Sequence, residues 1–369
     1  MSSLKVCIFT FPGIEDIVIG ELKEMLKVKG SVLEEGIVVC NLKPLKILVA
    51  NLYLRSALRI GILLRQKFVK DLDDIYKLAK SIDFSKFLES HQTLSVECQR
   101  ENKHSFISLD AERVVGEVIL NQARSKGLSL KVDLNNPQVK FFIYIKNGKA
   151  LLTLDTTGTT LDKRLNKFYT HPQGLNSILA YSLLRFSGWD KKSSLIDPFC
   201  GAGTILLEAY LHALNYPHLQ LKDKLKIWNL SFLPQEEFKK TLFQIQQSVN
   251  FTASVNLKIE GCDISLKSIE GAKLNFRRWG FKIKLEVRDA LKCNKYEYDY
   301  IVTNPPKGIG TKGTRNIELL EKFINKLLEY KNKWKNACII SPYVELFREF
   351  KIKKKVIVGN SKLFMCRYR

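Results

Sequence analysis

Residues 193–204 read Ser-Ser-Leu-Ile-Asp-Pro-Phe-Cys-Gly-Ala-Gly-Thr, and no other stretch restricts the fold of this chain as strongly. Leu195-Ile196 predicts a short strand ending at Asp197, Gly201 and Gly203 make a tight loop, and Ile205 to Ala213 predicts a helix. A strand that passes through a glycine loop straight into a helix is a unit of a doubly wound α/β sheet, whose ligands gather at the strands' carboxyl ends. Glycines there let backbone approach a ligand more closely than a Cβ would permit. The loop lacks the G-x-x-x-x-G-K of a P-loop, and Thr204 stands where a dinucleotide fingerprint needs its third glycine.

Three more polar residues close strand-like runs downstream. Asp263 ends Lys258-Ile259-Glu260-Gly261-Cys262 and is followed by Ile264 and a helical pattern over Ser265 to Trp279. Asp289 ends Leu285-Glu286-Val287-Arg288 and is followed by Ala290, while Asn304 ends Tyr300-Ile301-Val302-Thr303 and is followed by Pro305-Pro306-Lys307. Two adjacent prolines have no N–H to donate and fit neither a helix interior nor a central strand, so they fix a rigid loop that turns the Asn304 amide and nearby carbonyls outward. A strand-end carboxylate beside a glycine loop suits a ligand that joins an ammonium group to a nucleoside. S-adenosylmethionine is such a ligand, with Asp197 near its amino group, Asp263 on the ribose hydroxyls and Asp289 on the adenine amine. A C-terminal pattern, Val356–Gly359 and Leu363–Tyr368, predicts an antiparallel hairpin after a helix over Asn316 to Tyr330 and a strand over Ala337–Ser341.

At 369 residues the chain has room for two or three domains. Its net charge is +23, with 26 Lys/Arg against 19 Asp/Glu in residues 1–170 and 34 against 18 in the remainder. An excess spread over both halves fits phosphate neutralisation along a nucleic acid. No apolar run approaches the ~18–20 residues of a membrane span, and Met1-Ser2-Ser3-Leu4-Lys5 lacks a signal-peptide core, so a cytoplasmic location without membrane attachment is expected. The eight cysteines include no C-x-x-C pair, which predicts buried thiols and no metal site.

The first 60 residues predict strand, helix, strand and helix: 4–10, 13–29, 31–40 and 43–60. Beyond them come a helical pattern from Asp71 toward Phe87, an alternating strand at Thr93 to Gln99, and a helix opened by Ser108 as N-cap. Val139–Ile145 and Ala150–Asp155 then flank Asn147-Gly148, a strong hairpin signal. Ser95-Val96-Glu97-Cys98-Gln99-Arg100-Glu101-Asn102-Lys103-His104-Ser105-Phe106, the following helix, Val132-Asp133-Leu134-Asn135-Asn136-Pro137 and Leu154-Asp155-Thr156-Thr157-Gly158 together resemble a THUMP domain. That module binds RNA and follows a ferredoxin-like N-terminal domain. The expected division is 1–60 (ferredoxin-like), 61–158 (THUMP), 159–174 (linker) and 175–369 (Rossmann-like methyltransferase). Arg100, Lys103 and His104 sit on a turn from which side chains reach phosphates. Linker residues Lys163, Arg164 and Lys167, interleaved with Phe168, Tyr169 and His171, suit single-stranded or terminal RNA.

Asp197-Pro198-Phe199-Cys200-Gly201-Ala202-Gly203-Thr204 resembles motif I of class I methyltransferases, and the domain order resembles the TrmN-type RNA guanine-N2 methyltransferases. The resemblance implies S-adenosyl-L-methionine as cofactor, held by residues 197 and 199–204 with Asp263, Ile264, Asp289, Ala290 and Asn304. It implies Asn304 and Pro305 as the catalytic platform, with tRNA, near its acceptor stem, as the partner. Relatives place Tyr or Phe after Asn-Pro-Pro; here Lys307 stands there, as a candidate RNA contact, and Phe199 and Tyr343 are candidates for base stacking. An RNA-binding THUMP protein without catalysis, an rRNA guanine-N2 methyltransferase or a DNA amino-methyltransferase would share parts of this pattern. The stretch of about 45 residues before Lys258, with Trp228 and Phe232, either covers the pocket or packs elsewhere.

Overall fold

The computed structural model describes residues 2–102, 104–165, 167–171, 174–249, 257–292, 297–306 and 313–369. They form two compact units, one made of residues 2–9, 21–161 and 218–248, the other of 10–20, 162–217 and 249–369. Each unit thus borrows a segment from the part of the sequence that mostly builds the other.

The first unit holds β1 (Leu4–Phe9), and helix α1 (Glu15–Glu21) leads from the borrowed segment through a π-helical turn (Leu22–Leu26) to β2 (Ser31–Glu34) and β3 (Ile37–Leu42). Helix α2 (Pro44–Tyr53), β4 (Arg59–Phe68) and α3 (Leu72–Lys80) follow. Next come β5 (Thr93–Arg100), α4 (Ser108–Ser125), β6 (Lys131–Val132), β7 (Val139–Lys146) and β8 (Lys149–Asp155). All eight strands make one sheet in the order β2-β3-β1-β4-β8-β7-β5-β6. Strand β4 pairs with β1 on one side and β8 on the other, so residues 1–60 and 61–158 share a sheet. Phe9 and Phe142 meet edge to face at 5.0 Å across it. At the β7–β8 turn Asn147 and Gly148 both take left-handed backbone (φ 49° and 71°), as a two-residue hairpin of this hand requires.

Three local expectations are corrected. The helix foreseen over 43–60 stops at Tyr53. Buried Glu21 receives the N–H groups of Arg55 and Ser56 at 2.9 Å each, which turns the chain and frees Arg59 to begin β4. The helix foreseen over 13–29 becomes α1 plus the π-helical turn. Ser108 is the first residue of α4 rather than its N-cap; Ile107 occupies that position and its N–H goes to the Asp110 carboxylate at 2.9 Å.

The second unit contains α5 (Ser177–Ser187), β9 (Leu195–Asp197), α6 (Thr204–Ala213), β10 (Ile259–Asp263), α8 (Leu266–Arg278) and β11 (Lys284–Val287). It is completed by β12 (Tyr300–Thr303), α9 (Gly313–Glu329), β13 (Asn336–Ser341), β14 (Ile352–Val358) and β15 (Ser361–Arg367), while α7 (Gln235–Ser248) belongs to the first unit. Seven strands align as β11-β10-β9-β12-β13-β15-β14. The five from β9 to β13 are parallel and the terminal hairpin is antiparallel, as the sequence predicts. Helix α5, unassigned from sequence, is buried on nearly every face, which erases the 3.6-residue alternation by which a surface helix is recognised.

Residues 10–20 cover the free edge of β14. The Ile357 N–H donates to the Pro12 carbonyl at 3.0 Å, and Lys354 pairs with Asp16 at 2.5 Å. Gly13 (φ 102°) lies so close that a Cβ there would stand 2.0 Å from the Lys355 carbonyl oxygen. The other borrowed segment, residues 218–248, packs into the first unit. Phe232 meets Phe87 edge to face at 5.4 Å, Asn229 donates to the Gln138 carbonyl at 3.0 Å, and the Ile227 N–H reaches the Thr156 carbonyl at 3.1 Å. Of the two destinations left open for this stretch, packing is the one observed. No helix among the described residues is long and apolar enough to cross a membrane.

Candidate active site

Chain order along the second sheet sets the site. From β9 the chain steps outward to β10 and β11, then returns to the opposite flank of β9 with β12. The reversal opens a crevice at the carboxyl ends of these strands. A cavity of about 320 Å³ lies there, bounded by Asp197, Gly201, Asp263, Asp289, Asn304 and Pro305, among others. The four strand-end polar residues foreseen from sequence are therefore brought together, as are Phe199, Cys200, Ala202, Thr204, Ile264 and Ala290. Gly203 does not line the cavity; it caps α6 with φ 77°, and a Cβ on it would come within 2.9 Å of the Phe276 ring.

Gly201 has φ 51°, and a Cβ placed on it would meet no protein atom within 4 Å. It faces the cavity, so its missing side chain leaves room for a ligand rather than for packing. The Gly201 N–H is fixed by the Asp263 carboxylate at 3.0 Å, whose other oxygen takes the Ser265 N–H at 2.9 Å. Asp289 likewise accepts from the Leu291 N–H at 2.9 Å.

Asp197 is a strongly perturbed group in the site. Only 1% exposed, it is pushed up to about 7 by burial. Hydrogen bonds from the Thr303 hydroxyl (2.5 Å) and the Phe199 N–H (3.2 Å) oppose that rise, and the neighbouring Asp263 charge adds to it. No cation among the described residues pairs with it in an ion pair. A buried carboxylate of this kind is completed by a ligand that brings positive charge.

Asn304 supplies an unsatisfied group: its Oδ1 is buried with no hydrogen-bond partner among the described residues. An orphaned acceptor costs about 1–3 kcal/mol and calls for a functional account. It directly follows Thr303, whose hydroxyl donates to Asp197, so the end of β12 is tied to the end of β9. Phe199 packs edge to face on Phe323 at 4.9 Å while lining the cavity, whereas Tyr343 packs against the same core cluster without lining it.

The linker residues require correction. Arg164 is fully buried, its Nε 3.1 Å from Glu208 and an NH2 group 3.2 Å from the Ser177 carbonyl, so it cannot reach a phosphate. Lys167 donates to the Thr204 hydroxyl at 2.9 Å, and burial lowers its pKa. Lys163 alone of the three is exposed. In the first unit Arg100 lies over Phe106 (5.5 Å) and His104 stacks on the same ring (5.4 Å). Lys103 and Lys307 lie outside the described residues. Sequence reasoning missed His171, Gly174 and Leu175 as cavity walls, though the Leu175-Asn176-Ser177 run, with Asn176 capping α5, marks where the linker ends.

Comparisons with known proteins agree with this architecture. Residues 164–358 match the "RMKL-like, methyltransferase domain" family model, and residues 69–155 match the THUMP domain. A tRNA (guanine(6)-N2)-methyltransferase of Archaeoglobus fulgidus is 33% identical over 81% of this chain and 72% of its own length. The protein of that name from Methanocaldococcus jannaschii is 30% identical over 89% and 86%. The crystal structure of TrmN from Thermus thermophilus, 21% identical, has a TM-score of 0.69 over 99% of this chain and 98% of that one. A putative methyltransferase complexed with SAH, 20% identical, reaches 0.85 over 100% and 98%. This chain belongs to the RMKL-like methyltransferases that carry a THUMP domain.

Proposed function

We propose that this protein transfers the methyl group of S-adenosylmethionine to the exocyclic N2 amine of a guanosine in tRNA. The observation that carries the reading is the buried Asn304 Oδ1, unpartnered among the described residues, at the same cavity as the buried Asp197 carboxylate. The names of the two archaeal relatives support guanine 6 of tRNA, in the acceptor stem, as the target. Residues 61–158 would grip the RNA, with Arg100 and His104 at the strand–helix turn. Metal plays no part in this reading.

When bound, the cofactor supplies an electrophilic sulfonium methyl. The chain's own residues do the rest. Asp197 would hold the cofactor's ammonium, Asp263 its ribose hydroxyls and Asp289 its adenine amine, with Gly201 and Ala202 as the close wall. An exocyclic amine is a poor nucleophile because its lone pair is delocalised into the ring. Asn304 Oδ1 and the Pro305 carbonyl accept its two hydrogens and turn the lone pair toward the methyl, a gain in orientation and charge stabilisation. The target base must leave its stack to reach the crevice. Once methylated the nitrogen is acidic and loses its proton to solvent, so no strong base is needed beforehand.

Incubating the protein with labelled S-adenosylmethionine and unmodified tRNA, followed by nucleoside analysis, should yield N2-methylguanosine. A different methylated nucleoside would overturn the guanine assignment.

The Asp197 reading carries a pH signature. The free protein's carboxyl titrates near 7, whereas the ligand's ammonium needs it charged. Affinity for S-adenosylhomocysteine should therefore fall about tenfold per pH unit below 7, levelling off toward the ordinary carboxylate range. Because its folded pKa is raised, Asp197 contributes stability to the free protein that is full below about pH 4 and lost as pH rises to about 7. Calorimetric titration of Asp197→Asn should show weak binding without that slope; an unchanged slope would remove Asp197 from the ammonium site.

A further inference from the structure

Helix α8 carries Gly271 and Asn275, and Trp279 caps its C-terminus, so the three stand at intervals of four residues in a single buried row. Leu165 and Tyr169 of the linker lie along this row. The Trp279 indole N–H donates to the Leu165 carbonyl at 3.0 Å. Asn275, with no solvent exposure, takes the Tyr169 N–H on Oδ1 at 2.9 Å and returns a bond from Nδ2 to the Tyr169 carbonyl at 2.8 Å. The Tyr169 ring fills the space over Gly271, where a Cβ would stand 2.1 Å from Cδ1.

The same Asn275 Nδ2 also donates to the Ala202 carbonyl at 3.0 Å. Ala202 lies between Gly201 and Gly203, both in left-handed backbone, and such a loop has no regular ladder to set the rotation of its peptides. One side-chain amide therefore fixes both the glycine loop and the linker. Lys167, bonded to Thr204 at the start of α6, adds a second tie between the same two segments. The linker continues through His171, Gly174 and Leu175 into the cavity wall.

We propose that Asn275 is a positioning residue that couples linker residues 167–171 to the cofactor loop, so that the linker is ordered by cofactor binding and forms part of the site. This rests on the reading of the cavity as the S-adenosylmethionine site. The chain that leads from the RNA-binding half into the methyltransferase half is then also the chain that senses cofactor.

Hydrogen exchange with and without S-adenosylhomocysteine tests the coupling. In the wild type the ligand should slow exchange in the glycine loop and in residues 167–171 together. Asn275→Asp keeps the acceptor for Tyr169 but turns an oxygen toward two carbonyls. It should raise the Kd for S-adenosylhomocysteine and the KM for S-adenosylmethionine about tenfold, leave kcat at saturation within about threefold, and protect the loop but no longer the linker. Gly271→Ala displaces Tyr169 without touching Ala202, and decides the matter should the first variant not fold: loop protection kept with linker protection lost supports the coupling. Linker exchange indifferent to ligand in a wild type whose glycine loop is protected, or protected equally in both variants, overturns it. If the ligand protects neither segment of the wild type, the cofactor reading is what fails.

Discussion

Replacing Asn304 by Ala lowers kcat by about 10²–10³-fold while S-adenosylhomocysteine affinity stays within about threefold, a magnitude set by the loss of one preorganised hydrogen-bonding group in an active site. The asymmetry follows from position. Asp197, Asp263 and Asp289 follow three strands and are the residues proposed to hold the cofactor, whereas Asn304 and Pro305 follow the fourth and lie in a loop stiffened by two prolines. Alanine keeps the loop and removes the acceptor. Single-turnover rates beside calorimetric binding separate the two effects, and Asn304→Asp, which retains an acceptor oxygen, should recover part of the rate. Equal losses in rate and affinity would make Asn304 a cofactor residue only.

Arg164→Ala should be the most destabilising single substitution described for the second unit. Arg164 and Glu208 are both fully buried and 3.1 Å apart, and removing one member of such a pair strands the other's charge at a cost of about 3–5 kcal/mol. That corresponds to a drop on the order of 10 °C in the unit's melting temperature. Pairing Arg164→Met with Glu208→Leu should restore most of it, because an apolar pair of similar bulk strands no charge. Thermal melts check both. RNA affinity and its salt dependence should stay unchanged in the refolded double variant, since Arg164 makes no phosphate contact; a salt slope shallower by about one would return it to the RNA interface.

These two residues also mark how far the sequence can be read. Asp197, Asp263, Asp289 and Asn304 were legible because each ends a strand-like run, and a parallel sheet gathers strand ends whatever the strand order. Arg164 and Lys167 were misread because a basic residue in a linker looks solvated until its partner is known. Their partners, Glu208 and Thr204, lie 44 and 37 residues away. The turn at Arg55-Ser56 was hidden for the same reason: Glu21, which makes it, sits 34 and 35 residues upstream. The destination of residues 218–248 depends on a surface of the first unit that no local pattern announces.

The exchange of segments has a consequence for how this chain can be made and cut. Asp16 and Lys354, which pair across the covered edge of β14, are 338 residues apart in the chain, so the second unit cannot close until β14 has been made. A fragment beginning near residue 160 would leave the β14 edge bare, with the Ile357 N–H lacking its Pro12 acceptor and an open template for strand addition. A fragment ending there would strip residues 218–248 from the first unit. No single cut yields two intact halves, and dissecting this protein by truncation would report on damaged pieces of both.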